Sequence, residues 1–239
     1  MNTRSSENVS LQRVLNEEEF RSLKALDSCA VANAIERFHV QLRNEGYAAD
    51  ALTCRFPEMA PILGYAMTLK VRSVAPPTKG RVFFENTDWW NALLAIPPPR
   101  ILVIQDMDRI PGAGALVGEV HAAILKSLGC VGVVTNGSVR DLPHIQPFGF
   151  QLFSGSLSVS HAYSHLVRVG GIVQIGGLEI SPGDLLHGDC HGIIRVPKAL
   201  ASRIPATAAA LHRKEEGIIA YCQSPAFSIE GLRGLLAGE

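Results

Sequence analysis

Residues 118–141 read GEVHAAILKSLGCVGVVTNGSVRD, and the order of elements within them decides the fold. Glu119 opens an amphipathic run in which Val120, Ala123, Ile124 and Leu128 recur at helical spacing, and Gly129 ends it. Residues 131–134 then form a short strand rich in valine, which empties into a polar turn of Asn136, Gly137, Ser138, Val139, Arg140 and Asp141. A helix, a buried strand and a polar turn in that order place the turn at the carboxyl end of a strand, where open α/β sheets bind ligands. The stretch therefore predicts an α/β fold. It also sets the Arg140 cation beside the Asp141 carboxylate, with Glu119 as a second carboxylate at the helix N-terminus.

Working outward, residues 101–104 are continuously apolar between Arg100 and Asp106, the pattern of a strand covered on both faces. Residues 64–74, GYAMTLKVRSV, alternate apolar and polar and predict a half-buried strand that Pro76 and Pro77 stop. The loop over residues 108–117 carries Pro111, Gly112 and Gly114 just ahead of the helix. Its glycine amides and the helix N-terminus are a candidate seat for a carboxylate. Neither a GxxxxGK loop nor a GxGxxG between strand and helix occurs, which sets ATP and NAD aside. Residues 11–26 have helical spacing, and Asp27 or Ser28 can cap a second helix whose apolar face is Val31, Ala34, Ile35 and Phe38. Residues 1–9 are polar and read as a frayed start. Trp89 and Trp90 precede Pro97 on a predicted short helix and read as packing or interface residues.

Beyond Asp141, residues 148–153 predict a strand and residues 154–160 a serine-rich loop. His161 and His165 have the spacing of a metal pair on a helix, but HAYSH lacks the glutamate of HExxH, so a plain helix surface is preferred. Residues 172–180 predict a hairpin turning at Gly176 and Gly177. Residues 183–197, GDLLHGDCHGIIRVP, read as two short strands joined by a polar turn. There His187, Asp189 and His191 alternate to one side, as a metal triad or, preferably, a solvent-facing or subunit-contact edge. Residues 199–216 predict a closing helix despite Pro205, and IEGLRGLL a last one.

The 239 residues suffice for one domain with a substantial core. Lys and Arg number 22 against 22 Asp and Glu, so no global field draws nucleic acid or an anionic membrane. A small ligand or a protein partner fits better. Cys29, Cys54, Cys130, Cys190 and Cys222 include no CxxC pair, which argues against a disulfide framework and a thiolate zinc site and for a reducing compartment. With no apolar leader and no run of about 20 apolar residues, the expected location is cytoplasmic.

The stretch at 118–141 and PGDLLHGDCHGIIRVP at 182–197 together resemble the RraA-like family, which includes the class II 4-hydroxy-4-methyl-2-oxoglutarate aldolases. LDSCAVANAI from Leu26 and YAMTLKV from Tyr65 extend the resemblance over most of the chain. It implies a single α/β/β/α sandwich with swivelling-domain-like topology over residues 27–216, a lead-in segment at 1–26 and a helical tail at 217–239. It also implies trimers or pairs of trimers with sites at subunit interfaces. The family's aldolases carry an acidic residue, twenty residues and then Arg-Asp, a spacing that Glu119, Arg140 and Asp141 match. By that resemblance Asp141 is the direct ligand of Mg²⁺ or Mn²⁺, and Glu119 holds one of the cation's waters. Arg140 contacts an α-keto acid whose carboxylate meets the amides of Val120 and His121, in the turn that Gly118 begins. The implied activity is release of pyruvate from 4-hydroxy-4-methyl-2-oxoglutarate or a related aldol, with decarboxylation of oxaloacetate.

Other family members are regulators that bind and inhibit a ribonuclease; an intact acid and Arg-Asp pair favours the enzyme. Three residues depart from the family pattern, Asn33, His121 and Asn136, and they bear on substrate range. His121 either meets the distal carboxylate of a dicarboxylic substrate or points outward. Without the spacing match, Glu119 reads as a helix-capping acid and Arg140–Asp141 as a surface ion pair.

Overall fold

A strand covered on both faces must be apolar on both, and parallel neighbours need long crossovers between them. Those two requirements organise the computed structural model, which describes residues 12–48, 52–78, 87 and 89–237. The expected frayed start, residues 1–9, and Leu11 lie outside the described residues. In chain order the first elements are α1 (Glu17–Lys24), α2 (Ser28–Glu36), β1 (Thr53–Cys54), β2 (Ile62–Arg72), α3 (Trp90–Leu94), β3 (Arg100–Asp106) and β4 (Ala115–Val117). There follow α4 (Glu119–Ser127), β5 (Cys130–Val139), α5 (Leu142–Ile145), β6 (Gln151–Leu157), β7 (His165–Val169), β8 (Val173–Ile175) and β9 (Leu178–Ile180). The chain closes with β10 (Leu185–Asp189), β11 (Gly192–Val196), α6 (Ile204–Cys222) and α7 (Ile229–Ala237).

Nine strands form one mixed sheet in the order β1-β6-β5-β3-β2-β10-β11, with β4 on β5 and β7 on β2. The pairs β2–β3, β3–β5, β5–β6 and β4–β5 are parallel, and β1–β6, β2–β10, β10–β11 and β2–β7 are antiparallel. Alternate residues of β3 feed two cores. Leu102 and Ile104 face Val31, Ile35, Ala122, Leu125 and Ile204 on the helical side. Ile101 and Val103 face Val134, Phe153 and the β8–β9 hairpin residues Val173, Ile175, Leu178 and Ile180. The expected α/β fold is thus what the chain forms.

Several local expectations hold and several shift. Asn16 caps α1 in a capping box with Glu19, so this helix is shorter than residues 11–26. Asp27 caps α2 by accepting from the Ala30 amide at 2.7 Å. Strand β2 is buried along nearly its whole length rather than half-buried, because the β8–β9 hairpin covers its second face. Thr68, a polar residue of that strand, is satisfied by donating to the Gly171 carbonyl at 2.6 Å. Trp89 is buried and meets Trp90 edge to face at 6.4 Å, a packing role as expected. His161 and His165 share no helix: His161 lies in a turn and His165 begins β7. Pro205 falls in the first turn of α6, where its missing N–H costs nothing, because the helix starts at Ile204 rather than Ala199.

The decisive stretch needs two corrections. In α4 the buried residues are Ala122 and Leu125, whereas Val120 is 71% exposed, so the apolar face is rotated from the one the spacing predicts. The polar residues 136–139 are not a turn but the end of β5, carried past a register shift between Thr135 and Ser138. Asn136 makes that irregularity tenable: its Oδ1 accepts from the Asp106 amide at 2.7 Å and its Nδ2 donates to the Asp106 carbonyl at 3.0 Å. An aspartate could accept but not donate there.

Leu102 is fully buried in the helical-side core. Leu102→Ala is expected to cost about 2–5 kcal/mol in the midpoint-derived unfolding free energy in urea. A loss within about 0.5 kcal/mol would show that this face is loosely packed. Among the described residues no helix is long and apolar enough to cross a membrane.

Candidate active site

The carboxyl end of β5 and the N-terminus of α4 meet in a cleft of about 430 Å³ lined by Gly118, Glu119, Val120, His121, Ile124, Arg140, Asp141 and His161. All six residues that the resemblance singles out therefore border one cavity. Backbone placement explains it. The Arg140 amide donates to the Val117 carbonyl at 3.0 Å, tying the end of β5 to the strand that leads into α4. Asp141 then adopts a left-handed conformation, φ 60° and ψ 30°. Successive side chains of a continuing strand would point to opposite faces; the left-handed residue breaks that alternation. Aspartate tolerates this region better than most residues, although it is not free of strain.

Asp141 Oδ2 accepts from the Glu119 amide at 3.1 Å, so a carboxylate serves the positive end of α4 in place of a conventional cap. The same oxygen lies 3.4 Å from Arg140 Nε, an ion pair that lacks hydrogen-bond alignment because Nε is buried without an aligned acceptor. Gly118 is required for this approach, since a Cβ there would lie 2.5 Å from Asp141 Oδ2 and 3.0 Å from Arg140 Nε. Glu119 points its carboxylate within 3.8 Å of His144 Nδ1. The amides of Val120 and His121 belong to the first turn of α4, where no intrahelical carbonyl is available to them.

His161, read from sequence as plain surface, is the residue that reading missed. Its position follows from Gly114: a Cβ there would sit 2.2 Å from the His161 carbonyl oxygen, so only glycine lets the two segments touch. The Ala115 amide donates to the Ser160 carbonyl at 2.7 Å and secures the same contact. The expected carboxylate seat in the glycine loop is not formed by Gly112, whose amide donates to the buried Asp106 Oδ2 at 2.9 Å. Of the three departures, only His121 lines the cleft. Asn33 lines a separate cavity with Asp27, Cys29, His212 and Glu215. His187 and Asp189 are buried rather than solvent-facing, with Ser28 Oγ 3.0 Å from His187 Nδ1 and the Ser28 amide donating to Asp189 Oδ2 at 2.7 Å.

Burial pushes His121 down to about 4, with repulsion from His161 and Arg140 adding to it. His161 is lowered by burial and by Arg140, against an opposing pull from Asp141. Both imidazoles are therefore neutral near pH 7. Unfolding returns His121 to its usual 6.5, so between 6.5 and about 4 the unfolded chain binds more protons and stability falls as pH drops. Urea midpoints taken near pH 7 and near pH 4.5 are expected to fall less in His121→Gln than in the parent. Equal falls would remove His121 from the acid sensitivity.

The donors fit a hard divalent cation. Both described contacts of Asp141 fall on Oδ2, which leaves Oδ1 for a ligand, and Glu119 adds a second carboxylate in the same cleft. Among the described residues no third acidic, histidine or cysteine ligand joins them in a compact cluster. A small number of oxygen ligands suits Mg²⁺, which retains much of its water.

Comparisons with known proteins agree with this architecture. A family model described as RraA-like, Aldolase/RraA, matches residues 28–195. A Halalkalibacterium halodurans protein provisionally named 4-hydroxy-4-methyl-2-oxoglutarate aldolase is 32% identical over 87 residues, 35% of this chain and 40% of that protein. The Legionella pneumophila protein DlpA is 22% identical over 212 residues, 87% of this chain and 31% of its own length. The aligned regions thus span half or less of these curated relatives. A Pseudomonas syringae protein of solved structure superposes with a TM-score of 0.70 at 19% identity, covering 94% of this chain and 95% of that one. Streptomyces coelicolor RraAS2, described as an unusual member of the RNase ES inhibitor RraA protein family, superposes with a TM-score of 0.64 at 22% identity, covering 86% and 97%. At such identities the structures speak for the fold alone. With the family model spanning well over half of its residues and the fold shared, this chain belongs to the RraA-like family.

Proposed function

We propose that the chain is a divalent-metal-dependent lyase that releases pyruvate from 4-hydroxy-4-methyl-2-oxoglutarate or a related aldol and decarboxylates oxaloacetate. The observation that carries this reading is the convergence of Arg140, Asp141 and the N-terminus of α4 on one cleft. Asp141 would hold Mg²⁺ or Mn²⁺ directly and Glu119 through water. Such a cation supplies Lewis acidity toward the two oxygens of an α-keto acid.

The remaining parts follow from this chain's own groups. The first-turn amides of α4, at Val120 and His121, receive the substrate carboxylate in the positive end of the helix dipole. Arg140 sets a fixed positive charge beside the negative charge that develops as the carbon–carbon bond breaks. A water near Glu119 or Arg140 would take the substrate hydroxyl proton in the aldol reaction. Neutral His121 offers a hydrogen bond, without a charge, to the distal carboxylate of a dicarboxylic substrate. The name of the Halalkalibacterium relative supports the same substrate class. Exposed Leu157 and Val159 lie beside Arg140 and Asp141, and exposed Val120 lines the cleft; an apolar rim of this kind supports a trimer or hexamer with interfacial sites.

The test is pyruvate release from each substrate with Mg²⁺, with Mn²⁺ and with EDTA. Metal-dependent turnover supports the lyase. No turnover from folded protein on either substrate overturns it, and binding to a ribonuclease would then become the leading activity.

A further inference from the structure

Outside that cleft, the turn joining β10 to β11 gathers an oxygen, a sulfur and a nitrogen donor. Asp189, Cys190 and His191 each offer one ligand atom, and these atoms all lie within 4.8 Å of one another, the only such grouping among the described residues. Cys190 Sγ is 3.5 Å from His191 Nδ1, which is itself 3.1 Å from Asp189 Oδ1. With zinc bond lengths of about 2.3 Å to sulfur and about 2.0–2.1 Å to nitrogen and oxygen, these separations subtend roughly 107° and roughly 100° at a shared cation. Both angles suit a tetrahedral ion.

The turn is also held ready. Asp189 is 4% exposed, its Oδ2 accepts from the Ser28 amide at the start of α2, and its Oδ1 accepts from the His191 amide at 2.8 Å. Such outer contacts orient a ligating carboxylate. Cys190 and His191 are exposed, so a cation reaches them from solvent. His191 further lines a cavity of about 200 Å³ with Cys29 and Tyr47, which leaves room for a fourth donor.

We propose that Asp189, Cys190 and His191 form a site for a thiophilic divalent cation of the zinc class in the β10–β11 turn, whose Asp189 the Ser28 amide holds to the start of α2. The lack of a CxxC pair argues against a zinc site built from several thiolates; this one needs a single thiol. Its mixed soft donors also separate it from the oxygen-only cleft at Asp141. On binding, the Cys190 thiol gives up its proton to solvent as the sulfur–metal bond forms, and no redox change occurs.

The test uses the full chain carrying Asp141→Ala, so that cation binding in the cleft does not contribute. Titration with Co²⁺ as a spectroscopic substitute is expected to give one equivalent per chain, proton release on Co²⁺ binding, a thiolate-to-cobalt charge-transfer band, and displacement of that band by Zn²⁺. Adding Cys190→Ser is expected to abolish the band, and His191→Gln to weaken Zn²⁺ binding at least about 10-fold. Both substitutions are at exposed turn positions, and circular dichroism verifies that the variants fold. Cobalt bound without the sulfur band, or an unchanged band and affinity in Cys190→Ser, would overturn the proposal.

Discussion

Asp141→Ala is expected to lower kcat/KM for pyruvate release by at least about 10³-fold, and Arg140→Ala by about 10²–10³-fold, with a stability loss of at most about 2 kcal/mol. The two effects have different origins. The Asp141 carboxylate both accepts from the Glu119 amide at the α4 N-terminus and borders the cleft, so its removal takes away the proposed cation ligand and leaves the Glu119 amide without its acceptor. Arg140 supplies charge that matters most as negative charge develops on the substrate, so its loss should appear in kcat more than in KM. Arg140→Lys should restore little, because an ammonium does not reproduce a guanidinium fork. The Arg140–Asp141 pair is about a third exposed on each side, and solvent screening limits its stabilisation to at most about 1 kcal/mol. Steady-state pyruvate assays with Mg²⁺ and with EDTA, alongside urea unfolding, separate the outcomes. Parent-like turnover in Asp141→Ala would remove this carboxylate from the mechanism.

Gly118→Ala, a change of one methyl group, is expected to lower kcat/KM by about 10²-fold while leaving the fold intact. The backbone there has φ −125° and ψ −168°, an extended conformation that alanine adopts without strain. The added Cβ instead meets Asp141 Oδ2 at 2.5 Å and Arg140 Nε at 3.0 Å. Since both contacts are side-chain atoms at the cleft, relief comes from moving the reacting groups rather than from unfolding α4. The diagnostic is the combination of a large kinetic loss with a parent-like melting temperature. If kcat/KM stays within twofold of the parent, the close approach seen at Gly118 has no bearing on catalysis.

What the sequence disclosed depended on how local the cause was. The unbroken apolar run at 101–104 read correctly as a strand buried on both sides, because double burial leaves no other composition. Asp27 read correctly as the cap of α2, since capping needs only the first turn of the helix. The spacing from Glu119 to Arg140 was visible in sequence, and the structure brings these residues into one cleft. The buried face of α4 was misplaced, because Val120, Ile124 and Ala122 are all apolar and only packing chooses among them. The end of β5 looked like a turn because the compensation for its polar residues comes from Asp106, thirty positions earlier. His161 was missed for the same kind of reason: its placement rests on the absence of a side chain at Gly114.

The left-handed backbone of Asp141 has one more implication, for how such chains drift. A residue without a Cβ, or an asparagine, occupies that conformation at lower conformational energy than aspartate. An asparagine there could still accept from the Glu119 amide, but it would bring no charge to the α4 N-terminus, to Arg140 or to a cation. Under the proposed reading only the charged acid also serves the cation, which makes the occupant of this single position a criterion for sorting relatives that share the sheet but not the reaction.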